Sequence, residues 1–187
     1  MPENRHPSLL RREHTALLLV DVQERLHAVM ANREPLVENL RRLVRGFQIL
    51  GMPILVTEQY PQGLGPTIAE LRDLLGEGRP IEKLAFSCCQ VAELCDQLET
   101  LKIMQVVLAG IETHVCILQT ALDLLQLGFQ VHVPADAVSS RRQLDWQIAL
   151  ERMRQAGVVV TGTESVLFEL LVRAGTPEFK EISALVK

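Results

Sequence analysis

The chain has 187 residues, 48% of them hydrophobic and 22% charged, with a formal net charge of −4, which fits one domain with a substantial core. Its lysines and arginines are scattered among acids and make no basic stripe along which a phosphate backbone could run, so nucleic acid is not an expected partner. No apolar run approaches the ~20 residues of a membrane span, and the polar start MPENRHPSLLRREHT lacks the apolar stretch of a secretion signal; the expectation is a cytoplasmic protein that makes no membrane contact.

Residues 1–13 read as an N-terminal extension and 14–187 as a single domain of alternating strands and helices. TALLLVD (15–21) is a continuous apolar run closed by an acid, as in a strand buried on both faces. Leu36, Val37, Leu40, Leu43, Val44, Phe47 and Leu50 then recur at helical spacing over 34–50, and Gly51 with Pro53 stops them. PILVTE (53–58) is a second strand, YPQGLGP (60–66) a loop rich in Gly and Pro, and 67–75 a short helix. A weaker third strand lies within RPIEKLAF (79–86), followed by a helix at 90–100. IMQVVLAG (103–110) is a fourth strand, with a helix from Thr113 to Leu127 closed by Gly128. FQVHVPADA (129–137) contains the fifth, and Ser140 with Gln143 forms a capping box for a helix at 141–156. GVVVTG (157–162) is the sixth, and helices at 164–174 and 178–186 end the chain. Six strands alternating with helices predict a mainly parallel sheet covered on both faces, a three-layer α/β/α sandwich. In such sheets ligands bind beyond the carboxyl ends of the strands.

Three residues with complementary chemistry fall on that edge. Thr113 reads as a helix N-cap, which places Cys116 in the first turn at N3, where unpaired N–H groups and the helix dipole favour a thiolate. The same N–H groups suit an oxyanion. On this local context the cysteine is either a nucleophile or a small apolar side chain packed under the helix, and both readings stay open. Asp21, after the first strand, is either a turn cap or a base toward a thiol. Lys83 either snorkels to solvent or holds a thiolate and a carboxylate together. Gln23 and Tyr60 lie on the same edge as candidate substrate contacts, and Phe86 as an apolar wall. His114, at N1, is expected to face solvent, His132 to be structural, and Asp136 to be a turn residue as readily as a site residue. Cys88 and Cys89 suggest no chemistry. With four cysteines, no CxxC pair and few nearby histidines, neither a structural zinc nor a disulfide is expected.

VDVQ, TEQYPQGLG, EKLAFS, GIETHVCILQTALDLL, VHVPADAVSSR, TGTESVLFELL and FKEI together resemble the isochorismatase-like hydrolase family. More narrowly they resemble its isochorismatase domain-containing and YcaC-like branch, over about residues 14–186. The resemblance implies a catalytic triad that falls on Asp21, Lys83 and Cys116. The Asp takes the thiol proton, the thiolate attacks a carbonyl carbon, and water releases the acyl-enzyme. It also implies an oxyanion hole from the backbone N–H groups of Glu112 and Cys116, a cis peptide at Ile111–Glu112, and an oligomer of several subunits. Helix 164–174, apolar on more than one face, points to a homo-oligomer as well.

The chain departs from the nicotinamidases of this superfamily, whose metal-binding run after the second strand carries histidines. TEQYPQGLG has none, so neither a metal nor another cofactor is expected. The cysteine, which some true isochorismatases lack, points to an amide or another C–N compound, a small molecule, as substrate. Two alternatives stand beside this: vinyl-ether hydrolysis of an isochorismate-like acid, with Asp21 as general acid, and a non-catalytic interaction protein that keeps the fold.

Overall fold

A computed structural model describes residues 5–76 and 78–187. The first four residues of the N-terminal extension lie outside the described residues. Seven strands make one sheet: β1 (Thr15–Val20), β2 (Ile54–Gln59), β3 (Ile81–Lys83), β4 (Gln105–Ile111), β5 (Gln130–Pro134), β6 (Val138–Ser139) and β7 (Val159–Thr161). All pairings are parallel, in the order β3-β2-β1-β4-β5-β7, with β6 alongside β4. The chain runs outward from β1 to β2 and β3, then returns to β4 on the other side of β1. The topological switch point therefore lies between the carboxyl ends of β1 and β4, where doubly wound sheets bind ligands.

Both faces are covered, which is why β1 and β4 are apolar and buried at nearly every position. Leu17, Leu19, Val107, Ala109 and Ile111 point to one side, under α2 (Arg33–Ile49), α4 (Ala69–Leu75), α8 (Thr163–Leu171) and α9 (Pro177–Leu185). Leu18, Val20, Val106, Leu108, Val131 and Val133 point to the other, under α5 (Ala92–Thr100), α6 (Leu118–Gln126) and α7 (Gln143–Ala156). Two short helices, α1 (Glu24–His27) and α3 (Pro61–Leu64), border the carboxyl edge of β1 and β2. Ahead of β1, Leu10 is fully buried and Arg12 Nε donates to the Leu170 carbonyl at 2.6 Å, which ties this segment to α8.

The sheet has one strand more than the six expected. β6 is two residues long, below the length at which alternation is readable. It also alters the next helix. The expected Ser140–Gln143 capping box does not form: α7 is preceded by Arg142, with no side-chain cap. With β6 drawn along β4, the Ser140 carbonyl accepts from Ala31 N–H at 3.1 Å and its hydroxyl pairs with His114 Nδ1 at 3.0 Å.

Candidate active site

The site is built on the switch point. Asp21 follows β1 with φ 53°, a left-handed conformation that aspartate tolerates better than most residues. It is fully buried, and its N–H donates to the Thr57 carbonyl at 3.2 Å. Its two carboxylate oxygens are served separately. Oδ1 accepts from Thr57 Oγ1 at 2.8 Å, and Oδ2 from Lys83 Nζ at 2.6 Å. Lys83 ends β3 with its ammonium removed from solvent, so it does not snorkel. Nζ also donates to Gln59 Oε1 at 2.8 Å, the Phe86 carbonyl at 3.1 Å and the Ala85 carbonyl at 3.2 Å. Burial opposes the charge on Lys83, but the adjacent, hydrogen-bonded Asp21 carboxylate pushes its pKa up.

Cys116 reaches the pair from β4. Gly110, in register with Val20, has φ 122°, and a Cβ there would lie 2.2 Å from the Val20 carbonyl oxygen. Only glycine permits this approach, which sets the segment after β4 beside Asp21. The Ile111–Glu112 peptide is cis. Thr113 is not the N-cap expected from the sequence. Glu112 holds the capping position, its carbonyl accepts from Val115 N–H at 3.1 Å and Ile117 N–H at 3.2 Å, and residues Thr113–Ile117 form a π-helical turn before α6. Cys116 lies in that wider turn, only 5% exposed. Its thiol is pushed up, not down: burial is the largest cause and the Asp21 charge the next, while Lys83 pulls the other way. Burial and the Asp21 charge thus both favour the neutral thiol over the thiolate.

Around these three, Gln23 is fully buried and its side chain is spent on the backbone. It donates to the carbonyls of Gln59 at 3.0 Å and Gly65 at 2.6 Å, and accepts from Gln59 N–H at 2.7 Å. Tyr60, half exposed, takes a left-handed φ of 38° and donates its N–H to the Lys83 carbonyl at 2.9 Å. Its ring covers Gly63. Phe86 presents its carbonyl to Lys83 and its half-exposed ring to solvent. The Glu112 carboxylate pairs with Arg141 Nε at 3.0 Å. His114 bonds Ser140, and His132 is fully buried in β5. Asp136 Oδ1 accepts from Thr163 N–H and Oγ1, both at 2.9 Å, and so caps α8. Among the described residues no group of three His, Cys, Asp or Glu side chains could hold a metal ion.

Three further neighbours lie here: Thr57 and Gln59, which the sequence reading did not single out, and Cys88, to which it assigned no chemistry. Thr57 pairs with Val20 in register, and Gln59 with Lys83. Cys88 N–H donates to Thr120 Oγ1 at 2.9 Å and its sulfur lies 3.8 Å from Thr57 Oγ1. The positions of Thr57 and Gln59 at the end of a buried strand were the available signal.

A family model described as the isochorismatase domain matches residues 15–165. Isochorismatase domain-containing protein 2A of Mus musculus is 45% identical over 94% of this chain and 84% of its own length. Isochorismatase domain-containing protein 1 of Salmo salar is 42% identical over 92% of this chain, which spans 61% of that protein. A solved structure described as MAR1 ribonuclease, from Caenorhabditis elegans, superimposes with a TM-score of 0.90 at 40% identity, covering 95% of this chain and 92% of that one. The fold also matches YcaC of Escherichia coli, described as an octameric hydrolase of unknown specificity, with a TM-score of 0.89 at 22% identity over 97% and 92% of the two chains. With the family model matched over residues 15–165 and a relative 45% identical over 94% of this chain, the chain belongs to the isochorismatase-like hydrolase family.

Proposed function

We propose that this protein hydrolyses a small amide or other C–N carbonyl compound, with Cys116 as nucleophile, Asp21 as general base and Lys83 as the cation that holds the site. The observation that carries this reading is the fully buried Asp21–Lys83 pair at 2.6 Å, next to a buried cysteine whose thiol burial and the Asp21 charge push up. A buried carboxylate next to a thiol that cannot ionise unaided is the arrangement general-base activation requires.

The thiol proton passes to Asp21 as sulfur bonds to the carbonyl carbon. Backbone N–H groups of Glu112 and Cys116 receive the oxygen of the tetrahedral intermediate. Lys83 keeps the pair charged until the transfer and compensates the negative charge the site then carries. The protonated Asp21 returns the proton to the leaving nitrogen as the C–N bond breaks, leaving a thioester. Water, deprotonated by Asp21, adds to the thioester carbon and expels the Cys116 thiolate, which recovers the proton. The half-exposed rings of Tyr60 and Phe86 line the substrate path, and Gln23 shapes it by fixing the Gln59–Gly65 segment. The reaction needs no cofactor. The protein works as a cytoplasmic homo-oligomer, testable by light scattering, in which a monomeric mass counts against the assembly.

The test is a panel of amides, ureas and vinyl ethers, with a single-stranded RNA oligonucleotide added because of the name carried by the Caenorhabditis elegans structure. Wild type and Cys116→Ala are assayed side by side. Amide or urea hydrolysis that falls by at least ~10³-fold in Cys116→Ala is the expected result. Vinyl-ether hydrolysis or RNA cleavage that survives Cys116→Ala would overturn it.

A further inference from the structure

We propose that Thr57 is a positioning residue for this chemistry: its hydroxyl, fixed between Cys88 and Asp21, orients the carboxylate that accepts the Cys116 proton. The proposal rests on the Asp21–Lys83–Cys116 reading and deepens it.

Thr57 lies near the end of β2, fully buried, in register with Val20. A buried β-branched position in such a strand is filled equally well by valine, as Val106 and Val107 illustrate in β4. The hydroxyl therefore calls for a separate explanation. Its bonds run to Asp21 Oδ1 at 2.8 Å and to the Cys88 sulfur at 3.8 Å. Their directions follow from proton counting. An ionised carboxylate only accepts, so the single hydroxyl proton of Thr57 points to Asp21. The contact with Cys88 then runs from S–H to Oγ1. Cys88 has that proton to give, because burial, followed by the Asp21 charge, pushes its thiol up to about 11. Cys88 is itself held by the bond from its N–H to Thr120 Oγ1, one helical turn beyond Cys116. The hydroxyl rotor is thus fixed from both sides.

With Thr57 on Oδ1 and Lys83 on Oδ2, the plane of the carboxylate is set by two donors on two neighbouring strands. The other ionisable groups that act on this pair are the thiols of Cys116 and Cys88. A charge-assisted donor favours the carboxylate over the acid.

The probe is iodoacetamide, with alkylation at the Cys116 peptide read by mass spectrometry at about pH 7, together with a melting curve. Asp21→Asn should be alkylated at least ~100-fold more slowly than wild type. Thr57→Val should be alkylated about tenfold more slowly, and Thr57→Ser should restore the wild-type rate. Thr57→Ala gives the same reading if the valine variant does not fold. A rate that falls in Asp21→Asn but not in Thr57→Val, or that Thr57→Ser fails to restore, overturns the proposal alone. A rate that Asp21→Asn leaves unchanged overturns the triad reading and this proposal with it.

Discussion

Lys83 shows how much of the site's behaviour is decided by a single side chain. An ammonium taken out of water costs several kcal/mol unless its partners repay it, and four oxygens surround this one. Removing it leaves Asp21 as a buried charge without a counterion. Lys83→Met should therefore cost about 3–5 kcal/mol in urea unfolding and abolish turnover. Asp21→Asn combined with Lys83→Met should cost less than the two single changes added together, because the double variant strands no charge. Additive losses would show that the pair is not coupled. Asp21, Lys83 and Cys116 stood out in the sequence as candidates because each ends or follows a strand on one predicted edge, and motifs matching a known family surround them. Thr57 and Gln59 showed there only as positions at the end of a buried strand, and Cys88 without a role. Their contacts depend on which residues lie side by side across parallel strands, and register is set by packing that a linear pattern does not carry.

At the scale of elements, the approach of β1 to β4 is the tightest constraint near the site. Gly110→Ala would put a methyl group 2.2 Å from the Val20 carbonyl oxygen, a backbone atom that cannot rotate away, at φ 122°. The expected loss is at least ~3 kcal/mol, together with displacement of Asp21 from the turn that carries Cys116. An unfolding midpoint equal to wild type would refute this. Gly46→Ala makes a useful contrast. Its methyl would meet Leu167 Cδ2 at 2.3 Å, the far end of a flexible side chain between α2 and α8, so a smaller cost is expected, partly relieved by Leu167→Ala. The turn after β4 also shows where local rules stop. Thr113 has the chemistry of an N-cap, but Glu112 takes that place and the helix opens into a π turn. The consequence is chemical: Cys116 lies in a closed site beside a carboxylate, and the helix-end lowering of its pKa that the sequence suggested is outweighed. Asp136, open between two readings in the sequence, serves as the capping group of α8 from a distant turn.

For the molecule as a whole, alternation of apolar strands with amphipathic helices was enough to fix the three layers and the parallel sheet. The order of strands was not readable, and β6 is too short to leave a periodic trace. The covered sheet also fixes a pH dependence through His132. In β5 it lies between Val107 and Val159 in register, fully buried, with neither ring nitrogen hydrogen-bonded among the described residues. Burial lowers its pKa from 6.5 to about 4. The folded protein thus holds this imidazole neutral down to about pH 4, whereas the unfolded chain protonates it below about pH 6.5. Between those limits the unfolded state binds more protons, so stability rises with pH. The contribution is complete above the upper limit, is lost progressively on acidification, and levels off below the lower one. Its ceiling is ~3 kcal/mol. Carboxylates titrate over part of the same range, so the informative measurement is a difference. Urea midpoints of wild type and His132→Leu, compared at about pH 7 and about pH 4.5, should diverge, with wild type losing more on acidification. Equal losses in the two proteins would mean that His132 has a proton-accepting partner in the folded state.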